Sequence, residues 1–233
     1  MANCKHICVA LFGGTGERFG APYPKQFVKL GEDPMLIVTL RELSRCVDID
    51  EIYVVAEASS RDDVYNLILA NQIKKVKAIL RGGATRQESS RIALEFLKRS
   101  GTPADALVMI ADGDRPCVDP DIVHKSFLAA EEYGASVVAI PATDSILTSK
   151  KGVKVDSYLD RSTVYFVQTP QTFNFAAILN AHIRFRNKEV TDDASLISMA
   201  KKPIAIVPGS KDNIKITVPE DVNTYLLWKA KKK

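Results

Sequence analysis

The sequence predicts an α/β fold in which a mostly parallel β-sheet is covered by helices on both faces. Over the first 140 residues, short apolar runs rich in β-branched residues alternate with segments whose apolar residues recur at helical spacing. This alternation is typical of a parallel sheet, because a parallel neighbour is reached through a crossover helix. After Pro141 the alternation stops and short β-rich pieces follow, which predicts an inserted arm.

The predicted strands of the first part share a short, apolar, β-branched composition and cover residues 6–12, 51–56, 75–80, 106–111 and 136–140. The predicted helices between them carry apolar residues on one face and cover residues 35–46, 61–71, 86–98 and 119–133. The last of these begins at Asp119-Pro120, an N-cap residue followed by a proline at the first helical position.

The C-terminal part begins with the predicted arm, residues 142–168, whose turn is expected at Lys150-Lys151-Gly152. Helices are predicted over 174–185 and 192–200, strands over 204–207 and 214–218, and a final helix from Pro219. The sequence contains no internal repeat and no low-complexity linker. The simplest organisation is one domain, 1–233, with the arm inserted into it.

Composition narrows the function classes. The net charge of +4 is too small to indicate a nucleic-acid-binding protein. Apolar runs of membrane-spanning length and a secretory signal are both missing from the sequence, and the first strand begins too early for a transit peptide. The four cysteines have no paired spacing and the three histidines do not cluster with them. We therefore expect a cytoplasmic protein with reduced thiols and no zinc site.

The stretch FGGTGERFGAPYPKQF, residues 12–27, places three glycines and two cations directly after the first strand. Glycines allow backbone N–H groups to approach an anion closely. The spacing is neither that of a dinucleotide fingerprint nor that of a Walker A loop. The two prolines favour an extended loop from which Arg18 and Lys25 could fold over phosphates. A glycine-rich turn with solvated cations is an equally acceptable interpretation of this stretch alone.

Two further loops follow predicted strands. GGATRQES, residues 82–89, is a glycine turn into a helix N-terminus, which suits an anion or equally an ordinary strand-to-helix turn. DGDRPC, residues 112–117, places Asp112 at the end of an apolar run, where a carboxylate could hold Mg²⁺. The structural alternative is that Asp112 caps a turn and Arg115 pairs with Asp114.

The C-terminal third contributes a fourth group of polar residues. Lys215 lies within an apolar alternating pattern, where a charge requires a partner. Thr191 is expected to be the N-cap of the following helix, with Asp192 in its first turn. The remaining members of the group are Arg161, Thr169 and Asp212.

Together these loops carry a resemblance to a family. The ordered motifs GGTGERFG–PKQF, GGATRQES, DGDRPC, LDRS–QTPQTF, VTDDAS and DNIKIT–PED resemble those of the cytidylyltransferases that make CDP-methylerythritol in isoprenoid synthesis, and of their relatives that make CDP-ribitol. The resemblance extends from about Ile7 to Val222. It implies a Rossmann-like nucleotidyltransferase fold, a homodimer whose arm crosses to the partner, and CTP and a polyol phosphate as substrates with a divalent cation such as Mg²⁺.

The resemblance also implies roles for individual residues. Arg18, Lys25, Lys215 and Arg161 would be catalytic. Residues of the nucleotide site would be Phe12, Gly13, Gly14, Thr15, Gly16, Gly83, Arg86, Ser89 and Gly113. The acceptor phosphate and polyol would contact Asp112, Arg115, Ser145, Arg161, Thr169, Thr191 and Asp212. Asp112 would also bind the metal, and Arg161 would reach the neighbouring subunit's site.

The sequence departs from the family pattern at a few positions. Phe12-Gly13 replaces the usual Ala-Ala or Ala-Gly, DGDRP replaces the commoner DAARP and so adds Asp114, Ser145 replaces Thr, and Tyr165 replaces Trp. Methylerythritol phosphate is the favoured acceptor on the VTDDAS and DNIKIT–PED motifs, with ribitol 5-phosphate as the alternative on QTPQTF and Tyr165. An NAD-dependent oxidoreductase and a catalytically inactive nucleotide-binding subunit are the competing classes.

Overall fold

The computed structural model describes residues 4–13, 19–20 and 23–231. The strands are β1 His6–Phe12, β2 Lys29–Leu30, β3 Asp33–Pro34, β4 Glu51–Ala56, β5 Val76–Arg81, β6 Leu107–Asp112, β7 Ala135–Pro141, β8 Ile146–Thr148, β9 Ser157–Leu159, β10 Tyr165–Asn174 and β11 Ala205–Pro208. The α-helices are α1 Met35–Arg45, α2 Arg61–Ala70, α3 Arg86–Arg99, α4 Pro120–Tyr133, α5 Phe175–Arg184, α6 Ala194–Met199 and α7 Pro219–Lys231.

The central sheet has seven strands in the order β11-β7-β10-β6-β1-β4-β5. Strand β10 runs antiparallel to both of its neighbours, and the other six strands share one direction. The predicted mostly parallel sheet covered by helices is confirmed. The carboxyl ends of β1, β5 and β6 therefore lie along one edge, where ligands bind in open α/β sheets.

Hydrophobic cores lie on both faces of the sheet. One core packs α3, α5 and α6 against it, with Phe173 and Ile178 fully buried. The other core packs α1, α2 and α4 against the opposite face, around Leu36 and Phe127. Strands β1 and β6 contribute to both cores, because alternate side chains of a strand point to opposite faces. They are therefore buried on both sides and hold their carboxyl ends rigidly.

Strand β10 was not predicted, because its sequence QTPQTF is polar for a central strand. Its polar side chains are satisfied by distant partners. The hydroxyl groups of Ser126 and Thr172 are 2.7 Å apart, and Ser136 also bonds Ser126. Buried polar groups that are all hydrogen-bonded carry no large penalty, so this strand can occupy the middle of the sheet.

The segment 142–168 predicted as an arm contains the two-stranded antiparallel sheet of β8 and β9, with the expected turn residues 150–152 between the strands. Residues 165–168 at its end belong to β10, and residues 165–167 pair with β7. No helix in the described ranges is long and apolar enough to cross a membrane.

The strand predicted over 214–218 is wrong. The segment forms no strand, and the N–H of Ile216 in its middle donates instead to the carbonyl of Asp114 in the loop after β6, over 2.8 Å. Ile216 is fully buried in a third core with Leu30 and Tyr225. The alternating apolar pattern thus reflects the burial of Ile216, with Ile214 and Val218 only half-buried, and the segment pairs with no strand in the described part of the chain.

The ring of Phe12 packs directly on the backbone of Gly113, linking the end of β1 to the loop after β6. A Cβ atom added at Gly113 would lie 2.3 Å from the Phe12 ring. Phe12 is buried in the core beneath this loop. The two departures from the family pattern, Phe at 12 and Gly at 113, are therefore coupled, because the ring occupies the volume that an alanine methyl group would need.

We predict that Gly113→Ala lowers the free energy of unfolding by about 1–3 kcal/mol through overpacking. Urea titration followed by circular dichroism measures this. In a Phe12→Ala background the same change should be neutral or slightly stabilising, since the clash is gone and alanine reduces unfolded-chain entropy. Gly13→Ala is the matched control, because its Cβ would meet only Ser89 Oγ at an ordinary 3.5 Å. Equal costs in both backgrounds would contradict the proposed coupling.

Candidate active site

The candidate site lies at the carboxyl edge of the sheet and is centred on Asp112, the last residue of β6. Its side chain is held between two cations from distant segments. Arg86 Nε donates to Oδ1 over 3.0 Å, and Lys215 Nζ donates to Oδ2 over 2.9 Å. The backbone N–H of Asp112 donates to the hydroxyl of Thr169 in β10 over 3.0 Å. Three segments that are far apart in the sequence thus converge on Asp112, two of them on its carboxylate and one on its backbone N–H.

The charge state of Asp112 follows from this environment. The residue is only 9% exposed, and burial alone would raise the pKa of its carboxyl. The positive charges of Arg86, Lys215 and Arg115, with the hydrogen bond from Lys215, outweigh burial and lower the pKa to about 2. Asp112 is therefore a carboxylate at neutral pH. It can hold cations or a metal but cannot act as a general acid.

Arg86 is fixed from its other side by a buried pair that the sequence interpretation did not find. Its Nη1 donates to Oδ2 of Asp193 over 2.6 Å, and Oδ1 of Asp193 lies 2.9 Å from Nε2 of His182. Asp193 is 1% exposed and His182 is 0% exposed. Burial opposes ionisation of Asp193, but the charge of Arg86 and the bonds to both partners lower its pKa overall.

The consequence is that Arg86 is a fixed cation. Its burial disfavours the charged form, yet Asp193 and Asp112 together raise the pKa of the guanidinium above its ordinary value. Its Nη2 is buried and has no hydrogen-bond partner among the described residues. Arg86 begins α3, so the helix N-terminus adds to the positive field there.

Lys25 reaches the same region from the short 3-10 helix Lys25–Phe27. Its ammonium donates to Oδ2 of Asp114 over 2.5 Å and to the carbonyl of Ile216 over 2.8 Å. The sequence-based structural alternative, in which Arg115 pairs with Asp114, is wrong. Instead, Nε of Arg115 lies 3.7 Å from Oδ2 of Asp112, and Nη1 of Arg115 donates to the carbonyl of Asn213 over 2.7 Å.

The loop GGATRQES is organised by its own hydrogen bonds. Ser89 is almost fully buried, and its hydroxyl accepts from the N–H of Gly83 over 3.1 Å and donates to the carbonyl of Thr85. Thr85 caps α3 by accepting from the N–H of Glu88. In this structure Ser89 and Gly83 therefore shape the turn that presents Arg86.

A cleft of about 180 Å³ opens beside Asp112. It is lined by Arg86, Asp112, Arg115, Val167, Gln168, Thr169, Gln171, Thr191, Asp192 and Lys215. The cleft thus brings together six residues singled out in the sequence for nucleotide, acceptor or phosphate contacts. It has three cationic and two acidic side chains on its walls, which suits an anionic ligand.

Thr191 borders this cleft but does not cap the next helix, so that expectation is wrong. Helix α6 starts at Ala194, and it is Oδ1 of Asp192 that accepts from the N–H of Ser195 over 2.9 Å. Gln171 adds a second cap from β10, because its Oε1 accepts from the N–H of Ala194. Thr191 is exposed at the mouth of the cleft.

Some predicted residues lie elsewhere. Ser145 and Arg161 are exposed in the arm and do not line the cleft, and Arg161 Nη1 donates to the carbonyl of Thr143 over 3.0 Å. Asp212 is exposed and borders a smaller adjoining cavity with Asp112. Gly14, Thr15, Gly16 and Arg18 lie outside the described residues.

The carboxylates of the site can serve a divalent cation that also binds substrate phosphates. The described residues contain no group of three or more His, Cys, Asp or Glu side chains that could hold a metal by themselves. Mg²⁺, however, is commonly held by one or two carboxylates together with substrate phosphates. Asp112 satisfies this requirement, and Oδ1 of Asp114 is buried with no hydrogen-bond partner in the described part of the chain. The residues therefore fit a cation shared with a polyphosphate.

The chain matches, over residues 6–226, the family model of 2-C-methyl-D-erythritol 4-phosphate cytidylyltransferase (IspD). It is 35% identical to the enzyme of that name from Geobacillus kaustophilus, with 92% of each chain covered. It is 37% identical to that from Syntrophotalea carbinolica, covering 90% of this chain and 89% of the relative.

Solved structures show the same similarity. The 4-diphosphocytidyl-2C-methyl-D-erythritol synthase of Anaerococcus prevotii superposes with a TM-score of 0.83 at 25% identity, covering 97% of this chain and 96% of the other. The 2-C-methyl-D-erythritol 4-phosphate cytidylyltransferase of Thermus thermophilus superposes with a TM-score of 0.75 at 27% identity, covering 95% and 98% of the two chains.

The lowered pKa of Asp112 predicts how stability depends on pH. Its carboxyl has a folded-state pKa of about 2, below its ordinary value of 3.8, so ionisation favours the folded state. This contribution is fully present above about pH 4 and is lost as the pH falls toward 2. An Asp112→Asn variant should therefore show a shallower loss of stability than the wild type between pH 4 and pH 2 in urea titrations. Asp63→Asn, on an exposed position of α2, is the control; parallel curves for wild type and Asp112→Asn would refute the assignment.

Proposed function

The chain belongs to the 2-C-methyl-D-erythritol 4-phosphate cytidylyltransferase family, and we propose that the cations around Asp112 form its active site. The enzyme transfers CMP from CTP to 2-C-methyl-D-erythritol 4-phosphate, releases pyrophosphate and serves isoprenoid precursor synthesis. The observation that carries the location of the site is the convergence of Lys25, Arg86 and Lys215 on Asp112, at the end of β6, and on Asp114 just after it. We also propose that the protein is located in the cytoplasm.

The physical problem is to bring a phosphate dianion against a triphosphate and to break the bond between Pα and the β-phosphate. Repulsion between the anions opposes the approach, and negative charge spreads over the reacting group in the transition state. Positioning and charge stabilisation therefore dominate catalysis. A phosphate oxygen is already a nucleophile, so the reaction needs no strong general base.

In the proposed step an oxygen of the acceptor phosphate attacks Pα of CTP in line with the departing group. The new oxygen–Pα bond forms while the bond from Pα to the bridging oxygen breaks, and pyrophosphate leaves with the electron pair. Lys25 and Lys215 would stabilise the charge on the α-phosphate. Arg18, which lies outside the described residues, would contact the leaving pyrophosphate.

The remaining nucleotide and acceptor contacts are proposals of the same kind. Arg86 is held by Asp112 and, from its other side, by buried Asp193, and the contact with Asp193 would keep its charge in place when the nucleotide binds. The glycines 13, 14, 16, 83 and 113, with Phe12, Thr15 and Ser89, would shape the nucleotide loops. Arg115, Thr169, Thr191 and Asp212 would serve the acceptor, on the side of the cleft bordered by β10 and residues 212–215.

The divalent cation, Mg²⁺ or a similar ion, would be held by Asp112 together with phosphate oxygens. When bound, it supplies positive charge that offsets the charge of the triphosphate. Asp112 now uses both oxygens to hold Arg86 and Lys215, so phosphate binding would give these cations new partners and leave the carboxylate for the metal.

A homodimer is proposed from the arm. Large apolar side chains of the arm are exposed, including Val153 at 83% and Tyr158 at 69%. Exposed apolar patches of this kind mark interaction surfaces. Ser145 and Arg161 lie on the arm and away from the cleft of their own chain, so we propose that they complete the site of the partner subunit.

The acceptor distinguishes this function from its nearest alternative. With CTP fixed, kcat/KM for 2-C-methyl-D-erythritol 4-phosphate should exceed that for ribitol 5-phosphate by a large factor, read from pyrophosphate release. A preference for ribitol 5-phosphate would overturn the proposal that this site is shaped for methylerythritol phosphate. Calorimetric titrations of the protein with CTP and with NADH distinguish the two cytidylyltransferase functions from an oxidoreductase, which would bind NADH.

The role of Lys25 gives a direct prediction. Lys25→Ala should lower kcat for pyrophosphate release by about 10²–10³-fold, as removal of one charge-stabilising contact typically does. Lys29→Ala is the matched control, because Lys29 is an exposed cation four residues away and should leave kcat within about two-fold. Near wild-type turnover by a folded Lys25→Ala enzyme would refute the assignment.

A further inference from the structure

The ammonium group of Lys25 is held by a residue that the family resemblance does not explain. Asp114 accepts from Lys25 Nζ over 2.5 Å, and the side chains of the two residues are only 18% and 15% exposed. A charge-assisted hydrogen bond with this little solvent is about twice as strong as a neutral one. Asp114 is the acid that DGDRP adds relative to the commoner DAARP.

The same two residues join three separate segments in a closed set of bonds. Lys25 also donates to the carbonyl of Ile216 over 2.8 Å, and the N–H of Ile216 donates to the carbonyl of Asp114 over 2.8 Å. The loop after β1, the loop after β6 and the segment before α7 are therefore fixed to one another at Lys25. Two of the three N–H donors of the ammonium are used, so one remains for a ligand.

We propose that Asp114 is a positioning residue that fixes the Lys25 ammonium in the active site before CTP binds. Asp114 acts through Lys25, and the inference rests on the proposed function, because it assumes that Lys25 stabilises charge on the α-phosphate. A lysine side chain has four rotatable bonds, and holding it in place removes an entropic cost from the reaction. Oδ2 of Asp114 accepts the hydrogen bond that holds Lys25. Oδ1 of Asp114 lies 3.9 Å from Nζ of Lys215.

A purely structural ion pair is the competing interpretation. It predicts that loss of Asp114 lowers stability and affects activity independently of Lys25. A positioning role predicts instead that the loss of activity depends on Lys25 being present. The two interpretations are therefore separated by a double-mutant cycle rather than by a single variant.

The cycle compares wild type, Asp114→Ala, Lys25→Ala and the double variant in steady-state pyrophosphate release with saturating CTP. Asp114→Ala should lower kcat by about 10–100-fold, the effect of displacing a catalytic group by about 1 Å. In the Lys25→Ala background the same change should lower kcat by less than about two-fold. Asp114→Asn keeps the shape of the side chain and one acceptor oxygen, so it should retain more activity than Asp114→Ala. If Asp114→Ala does not fold, Asp114→Asn replaces it in the cycle.

A second measurement tests the contact without activity. The intact protein is treated with an acetylating N-hydroxysuccinimide ester, and the modification of Lys25 relative to Lys29 is read by peptide mass spectrometry. An ammonium engaged by a carboxylate and a carbonyl reacts slowly, so Asp114→Ala and Asp114→Asn should raise the Lys25/Lys29 ratio several-fold.

An unchanged ratio, an unchanged kcat in Asp114→Ala, or an equal fold-loss in both backgrounds of the cycle would each overturn the inference. Failure of the proposed function has a different signature. The wild type would then release no pyrophosphate from CTP and the methylerythritol acceptor, while the acetylation ratio would still respond to Asp114.

Discussion

The carboxylate of Asp112 stands at the end of a strand that is buried on both faces, and it accepts hydrogen bonds from Arg86 and Lys215, 26 and 103 residues away. Strand β6 cannot shift without disturbing both hydrophobic cores, so the position of this carboxylate is set by the interior of the protein. Arg86 and Lys215 then bind to a carboxylate whose position is already fixed. The cleft, the loop conformations and the proposed charge stabilisation all depend on this arrangement.

Two further carboxylates accept hydrogen bonds from the cations of the site and fix them in place. Asp193, supported by buried His182, fixes Arg86, and Asp114 fixes Lys25. A buried cation without such a partner would be costly, and a solvated one would have to be ordered when the substrate binds. The protein thus balances its positive groups with acids that keep them charged and in place. A polyphosphate entering the cleft meets cations that are already oriented.

Much of the site could be predicted because its residues follow strands. Asp112 comes directly after the apolar run of β6 and Arg86 shortly after that of β5, and carboxyl ends of parallel strands share an edge. The pairings could not be predicted. Lys25 meets Asp114 across 89 residues and Arg86 meets Asp193 across 107, and no local pattern encodes such separations. Asp193 lies in the motif VTDDAS, which predicts Thr191 as the cap of the next helix, whereas Asp192 caps it.

By itself the sequence determined the alternation of strands and helices, the edge at which the loops gather and the family whose motifs the loops carry. These follow from apolar periodicity and from ordered local motifs. Only the tertiary structure decided that QTPQTF enters the sheet as antiparallel β10 and that residues 214–218 do not. The physical reason is that a strand needs partners for its backbone and its buried polar groups. Distant Ser126 and Asp192 satisfy side chains of β10, whereas Ile216 finds its backbone partner in the loop of Asp114.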